Sequence, residues 1–166
     1  MTLLVQKESE LLDRHLDVEA EARKMIDFVI EYLDCPYETE INLTITDNAE
    51  IQQINKEFRD IDKPTDVLSF PMVDYEEPFD FSIAEESPGD YFNPESGELL
   101  LGDIVISTEK VISQAEEYGH GILREYCFLI VHSMLHLFGY DHIEEDDRTI
   151  MEKLQEEIMN AAGILR

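Results

Sequence analysis

ILREYCFLIVHSMLHLFGYDH, residues 122–142, is apolar almost all the way round a helical wheel as far as Gly139. A helix with no polar face has no side to offer water, so this one is expected at the centre, with other elements packed around it. His132 and His136 interrupt it, one turn apart on the same face, so both imidazoles can reach one point in space. Gly139 permits the left-handed backbone that ends a helix, and a chain turning back there can return His142 to that point. Three neutral imidazoles at about 2.0–2.1 Å leave a fourth tetrahedral position open, the arrangement of a catalytic rather than a structural zinc. The competing reading is a pair of hydrogen-bonded core histidines. Unpartnered, two buried polar rings cost about 1–3 kcal/mol each, and a shared metal removes that cost. The expectation is a metal site at His132, His136 and His142, one zinc per chain.

The rest of the chain supplies partners for that helix. LLLGDIVIS (99–107) is a nearly continuous β-rich run, suited to a strand covered on both faces. TEINLTITD (39–47) alternates Ile41, Leu43 and Ile45 with polar residues, the pattern of a strand buried on one face. Val67–Phe70 reads as a third strand and LLVQK (3–7) as a short edge strand. From Val18 to Leu33, Ala22, Met25, Ile26, Val29, Ile30 and Leu33 repeat helically until Pro36 closes the helix. Asp47 followed by Glu50 opens a second helix in the manner of a capping box, with Ile51, Ile54 and Phe58 inward. Ser107 caps a third, running to about Tyr118 and broken by Gly119–Gly121, and a polar last helix spans about Glu144–Ala161 before Gly163. Strands and helices interleave without strict alternation or internal repeats. The expected fold is α+β, a mixed, mostly four-stranded sheet with helices packed on it. A length of 166 residues, 43% of them hydrophobic, suits one domain, 1–166.

Charge argues against an ordinary nucleic-acid binder. The 39 acidic against 12 basic residues give a net charge of −27, the opposite of the basic stripe by which such proteins attract phosphates. The distribution is uneven: residues 74–98 contain nine acids and no Lys or Arg, with Pro78, Pro88 and Pro94, and read as a long solvated loop inserted between strands. The first residues lack the pattern of a secretory signal, and the longest unbroken apolar run, Cys127–Val131, falls far short of the roughly 18 residues of a membrane span. A cytoplasmic protein with no membrane partner is expected. Its two cysteines, Cys35 and Cys127, are expected buried and reduced.

The histidine spacing matches H-E-x-x-H-x-x-G-x-x-H of the metzincin proteases, except that Ser133 stands where those enzymes carry their glutamate base. Serine takes no proton at neutral pH unaided, so ordinary zinc peptidase chemistry is in doubt. Asp141 is an alternative carboxylate, an orienting partner for a ligand histidine or a turn former. HSMLHLFGYDH (132–142) is similar to the H-[GS]-x-L-H-L-x-G-[YH]-D-H signature of the YbeY family of bacterial metal-dependent endoribonucleases. NKEFRDIDKPTDVLSFP (55–71) and LGDIVIS (101–107) resemble that family's other blocks, in the same order. The resemblance implies a zinc-metalloprotease-like α+β fold and a zinc-dependent, single-strand-specific endoribonuclease of the bacterial cytoplasm. It also implies a part in rRNA maturation, at the 3′ end of 16S rRNA, and in ribosome quality control. Carried onto this chain, the metal ligands are His132, His136 and His142, and the functional arginine is Arg59.

The residues agree with that chemistry. A three-histidine zinc acidifies a bound water to a pKa of about 7 and polarises a phosphoryl oxygen, which makes the missing glutamate tolerable. A guanidinium suits the charge that builds on those oxygens, and Arg59 is the catalytic candidate. Without the resemblance, Arg59 reads as a helix-end salt bridge to Asp60, Asp62 or Asp66. Lys63 can assist with a phosphate or be a turn residue, and Asp66 and Asp103 read as loop organisers. Because the chain is so acidic, RNA binding should be weak and assisted by the ribosome or a ribosome-associated protein that presents single-stranded rRNA. Two readings of other classes stand beside the nuclease: a zinc hydrolase of another substrate such as a peptide, and a non-catalytic, metal-stabilised assembly factor.

Overall fold

In the structure, a computed structural model that describes residues 1–164, four strands form one mixed sheet. Leu165 and Arg166, the end of the expected 1–166 domain, lie outside the described residues. In chain order the elements are β1 (Thr2–Lys7), α1 (Val18–Tyr32), β2 (Thr39–Thr46), α2 (Asn48–Arg59), β3 (Val67–Pro71), α3 (Ser82–Glu86), α4 (Pro88–Tyr91), β4 (Leu99–Ser107), α5 (Thr108–Tyr118), α6 (Ile122–Leu137) and α7 (Glu145–Ala161). The strands lie in the order β1-β2-β4-β3. β1 and β4 run parallel to β2, and β3 runs antiparallel to β4. Parallel neighbours need a crossover connection, which α1 supplies between β1 and β2.

Side-chain alternation divides the two faces of the sheet. Ile41, Leu43 and Ile45 of β2 join Ile104 and Ile106 of β4 in the principal core, with the buried residues of α1 and α6. α6 is the hub, packing against α1, α5, α7, β3 and β4. Two hydroxyls buried on it are partnered: the Tyr126 hydroxyl donates to the Val18 carbonyl at 2.6 Å, and the Ser133 and Ser69 hydroxyls share a hydrogen bond at 2.6 Å. On the opposite face Val105 of β4 and Leu68 of β3 pack under Ile51 of α2, so β4 is covered on both sides, as its unbroken apolar run implies. β1 is an edge strand whose Leu4 stays half exposed.

Helix starts follow the capping residues. Asp17 accepts from Ala20 N–H at 3.0 Å, Asp47 from Glu50 N–H at 2.9 Å and Ser107 from Lys110 N–H at 3.4 Å, each satisfying an orphan donor of the first turn. Two expectations are corrected. Phe58 is not inward but 64% exposed, its ring edge-on to Phe70, and Asn55 is buried instead. The cause is that α2 packs on β3 and β4 and leaves the outer face of β1 and β2 open, so Phe58 borders the cleft over that face. The acidic insertion is not wholly solvated either: it forms α3 and α4, buries Phe81 and Ala84, and packs Tyr75, Phe79 and Phe92 against the core. Average composition concealed apolar anchors spaced among the acids.

Cys127 is buried and Cys35 half-buried, and both are free thiols. Burial pushes Cys127 up to about 12 and raises Cys35 as well, so neither supplies thiolate readily near neutrality. Titration of the native protein at pH 8 with a chromogenic disulfide reagent is therefore expected to find no fast-reacting thiol, and two after unfolding. A fast native thiol at Cys127 would contradict this placement.

Candidate metal centre

α6 ends where Gly139 takes a φ of +97°, a left-handed conformation that glycine adopts freely. Gly139 N–H bonds to His136 O at 3.0 Å and Tyr140 N–H to Leu135 O at 3.0 Å, so the chain reverses within one turn. The insertion braces that reversal: Phe79 N–H donates to Phe138 O at 2.8 Å, and Tyr75 packs so closely on Gly139 that an added Cβ would lie 2.8 Å from its ring. The result brings His132, His136 and His142 together, with one ring nitrogen from each within 4.8 Å of the others.

The tautomers follow from the partners. His132 Nδ1 donates to Gln155 Oε1 at 2.9 Å, and His136 Nδ1 donates to the Tyr140 carbonyl at 3.0 Å. A carbonyl oxygen only accepts, so each ring carries its proton on Nδ1 and turns an Nε2 lone pair inward. These two Nε2 atoms stand 3.1 Å apart. Lone pairs at that separation repel, whereas a cation between them converts the repulsion into two bonds. Bonds of about 2.0–2.1 Å at a tetrahedral angle would set the nitrogens about 3.3 Å apart, so the donor set fits a zinc-sized ion. Burial pushes His136 down to about 4, with His132 and His142 adding to the shift, and burial lowers His132 despite its bond to Gln155. Both rings are neutral at pH 7, as a metal ligand must be.

A cavity of about 300 Å³ opens beside His132 and His142, lined also by Asp66, Phe128, Arg148 and Gln155. Asp66 is held by its own neighbours, accepting from Val67 N–H at 2.7 Å and Gln114 Nε2 at 3.2 Å. Asp141 accepts from Ile143 N–H at 3.3 Å, the turn-forming role; the two α6 histidines are oriented by Gln155 and the Tyr140 carbonyl. Asp103 bonds Asn42 at 2.8 Å and lines a different cleft, on the outer side of the sheet. Ser133 is fully buried against Ser69 of β3.

Arg59 ends α2, exposed, with Nη1 donating to Asn55 Oδ1 at 3.5 Å. Among the described residues it forms none of the ion pairs that the bland reading required; Asp62 pairs with Lys56 at 3.8 Å. It does not line the histidine cavity, and Lys63 enters the local network only through its carbonyl, which accepts from Asn55 at 2.9 Å. Two cavity residues escaped the sequence reading. Arg148, at the start of α7, donates to His142 O at 3.5 Å. Gln155 had a signal: Met151, Gln155 and Ile158 occupy the buried stripe of α7, with a polar residue where an apolar one is expected. Replacing Gln155 with Leu is expected to weaken metal binding about 10–100-fold while the metal-free protein melts within a few degrees of wild type. Competition against a chromophoric chelator measures this; unchanged affinity would remove Gln155 from the centre.

A family model described as Endoribonuclease YbeY matches residues 4–163. Proteins named Endoribonuclease YbeY from Lachnoclostridium phytofermentans and Agathobacter rectalis are each 52% identical over 166 residues, spanning 100% of both chains. A third, from Lachnospira eligens, is 48% identical over 171 aligned positions. The solution structure of TM1509 from Thermotoga maritima aligns with 96% of this chain and 91% of that one, at a TM-score of 0.50 and 21% identity, a likeness of fold.

Proposed function

Because the chain belongs to the Endoribonuclease YbeY family, we propose that it is a metal-dependent endoribonuclease that hydrolyses phosphodiester bonds in single-stranded RNA. The finer reading is a zinc enzyme, one ion on His132, His136 and His142. It acts in the cytoplasm on rRNA, at the 3′ end of 16S rRNA and in ribosome quality control. No helix among the described residues is long and apolar enough to cross a membrane. The observation that carries the proposal is the pair of inward Nε2 lone pairs beside a cavity with Arg148 on its wall.

When bound, the metal supplies Lewis-acid polarisation and an acidified water, so no separate carboxylate base is required. The chain's residues do the rest. Gln155 and the Tyr140 carbonyl hold the Nδ1 protons and aim both rings. Arg148 offers charge to a phosphate entering the cavity. Arg59, without an ion-pair partner among the described residues, is available to reach an RNA strand that extends beyond the cavity. The burial of Ser133 against β3 weighs against peptide chemistry that needs a base at that position.

Purified protein, with and without a chelator, is to be incubated with single-stranded RNA and with a peptide library. Metal-dependent RNA cleavage supports the proposal. Cut peptides with intact RNA overturn it, and unfolding on metal removal with neither substrate cut favours a metal-stabilised assembly factor. Arg59→Ala is expected to lower the RNA cleavage rate about 100-fold with metal content unchanged. Undiminished cleavage would exclude Arg59 from the reaction.

A further inference from the structure

A second cleft, of about 730 Å³, runs along α6 and α7 beside the histidines and shares Phe128, Glu152 and Gln155 with their cavity. Its walls include the rings of Tyr118, His120 and Phe128, with Arg124 and Asn160. Phe128 lies one turn before His132 on α6, the two rings nearly parallel at 6.3 Å, so the cleft continues directly from the histidine site.

Two of the side chains that line the cleft carry a covered polar atom without a partner among the described residues. The His120 side chain is only 8% exposed; its Nε2 lies 2.5 Å from Glu125 Oε2, while its Nδ1 has no partner among the described residues. Arg124 Nε is also without one. Unmatched polar atoms on cleft-lining side chains are groups whose bonding a ligand's polar edge completes once it displaces the side chains that cover them. Glu125 is in turn tied to the histidine cavity: Gln114 Nε2 donates to Glu125 Oε1 at 2.8 Å and to Asp66 Oδ2 at 3.2 Å, and Asp66 lines that cavity.

We propose that this cleft is a nucleobase subsite, which seats one base of the RNA strand between aromatic rings and the His120–Arg124 edge. The proposal deepens the nuclease reading and rests on it for the choice of a base over other flat heterocycles. Electrostatics separates base from phosphate. Glu152 and Glu156 line the cleft with Arg124 as its one cation among the described lining residues, which disfavours a phosphate and is indifferent to a neutral ring. Base stacking gives affinity without counterion release, the route open to a chain with a net charge of −27.

The test titrates the metal-loaded full chain with adenosine, guanosine, cytidine and uridine, which carry no phosphate. The ring resonances of His120 are followed by NMR, with exposed His15 as the control. At least one nucleoside is expected to shift His120 saturably and leave His15 unmoved, with an affinity little changed by salt. Tyr118→Ala, a change at a side chain that is half exposed, is expected to weaken that binding about tenfold while melting temperature and metal content stay at wild type. The same variant is expected to raise KM for a single-stranded oligoribonucleotide about tenfold. No nucleoside shift, a shift indifferent to Tyr118→Ala, displacement by inorganic phosphate, or a response to aromatic peptides alone each overturns the subsite. RNA cleavage with an unchanged KM in the variant overturns the subsite and leaves the nuclease reading standing. Nucleoside binding by a wild type that cuts no RNA does the reverse.

Discussion

His136→Ala is expected to reduce bound metal from about one ion per chain to below one-tenth, and to abolish RNA cleavage with it. His136 supplies one of the two Nε2 lone pairs held 3.1 Å apart, and its ring is aimed by the Tyr140 carbonyl within the same turn of chain. Without it, His132 and the exposed His142 remain, and two imidazoles leave a zinc-sized ion two ligands short of its tetrahedron. Loss of an orienting partner alone costs about 10–100-fold in affinity, so loss of a ligand should exceed that. Metal analysis after gel filtration measures it, and retention of one ion per chain in the variant would move the centre elsewhere. The linked effect is on stability: a ligand at about 1,000 times its Kd stabilises the folded state by about 4 kcal/mol, a gain the variant should not show. The pH dependence has a definite sign. His136 is lowered in the folded protein to about 4 from an ordinary value of 6.5, so between those values the unfolded chain binds more protons. The metal-free protein therefore loses stability from this ring as pH falls through that window. The difference in melting temperature between wild type and His136→Ala, both metal-free, should shrink or reverse from pH 7 to pH 4. A difference that does not vary with pH would contradict the burial of the ring.

Gly102→Ala is expected to destabilise the protein by about 3–5 kcal/mol, a drop of about 10 °C or more in melting temperature. The register of β2 on β4 steps from Glu40–Leu100 to Ile41–Gly102, leaving Leu101 as the extra residue of a bulge. Gly102 takes a φ of +149° there, and an added Cβ would lie 2.4 Å from Phe70 O and 2.8 Å from Leu137 Cδ2. The first contact is backbone of the antiparallel neighbour β3, which cannot yield without parting the strands. The second is the side chain next to His136, so metal affinity should fall as well. Gly89→Ala is the control, since a Cβ there meets nothing within 4 Å, and its melting temperature should match wild type. Equal melting curves for the two variants would show that the close approach of β3 is not real.

Much of the fold was legible because local physics and tertiary packing agree in it. Asp47 and Ser107 cap the helices that begin beside them, the alternation of Ile41, Leu43 and Ile45 puts one face of β2 in the core, and α6 is buried over most of its surface. Where they disagree, the sequence misled. Phe58 lies on the apolar side of α2, but nothing among the described residues covers the outer face of β1 and β2 beside it, and the ring borders an open cleft. The acids of the insertion hid Tyr75, Phe79 and Phe81, which brace the turn that presents His142. Gln155 and Arg148 come to the site from α7, remote in sequence from α6.

Residue spacing by itself determined that three imidazoles could meet, because i and i+4 share a helix face and a glycine lets the chain reverse. Only the tertiary structure decided which nitrogens face inward, that Ser133 is spent on β3, and that the insertion and α7 complete the site. The reason is range. Periodicity and capping act within a few residues and are written locally. The partner of an Nδ1 proton, or the backbone that passes 2.4 Å from an absent Cβ, is set by packing between segments far apart in the chain.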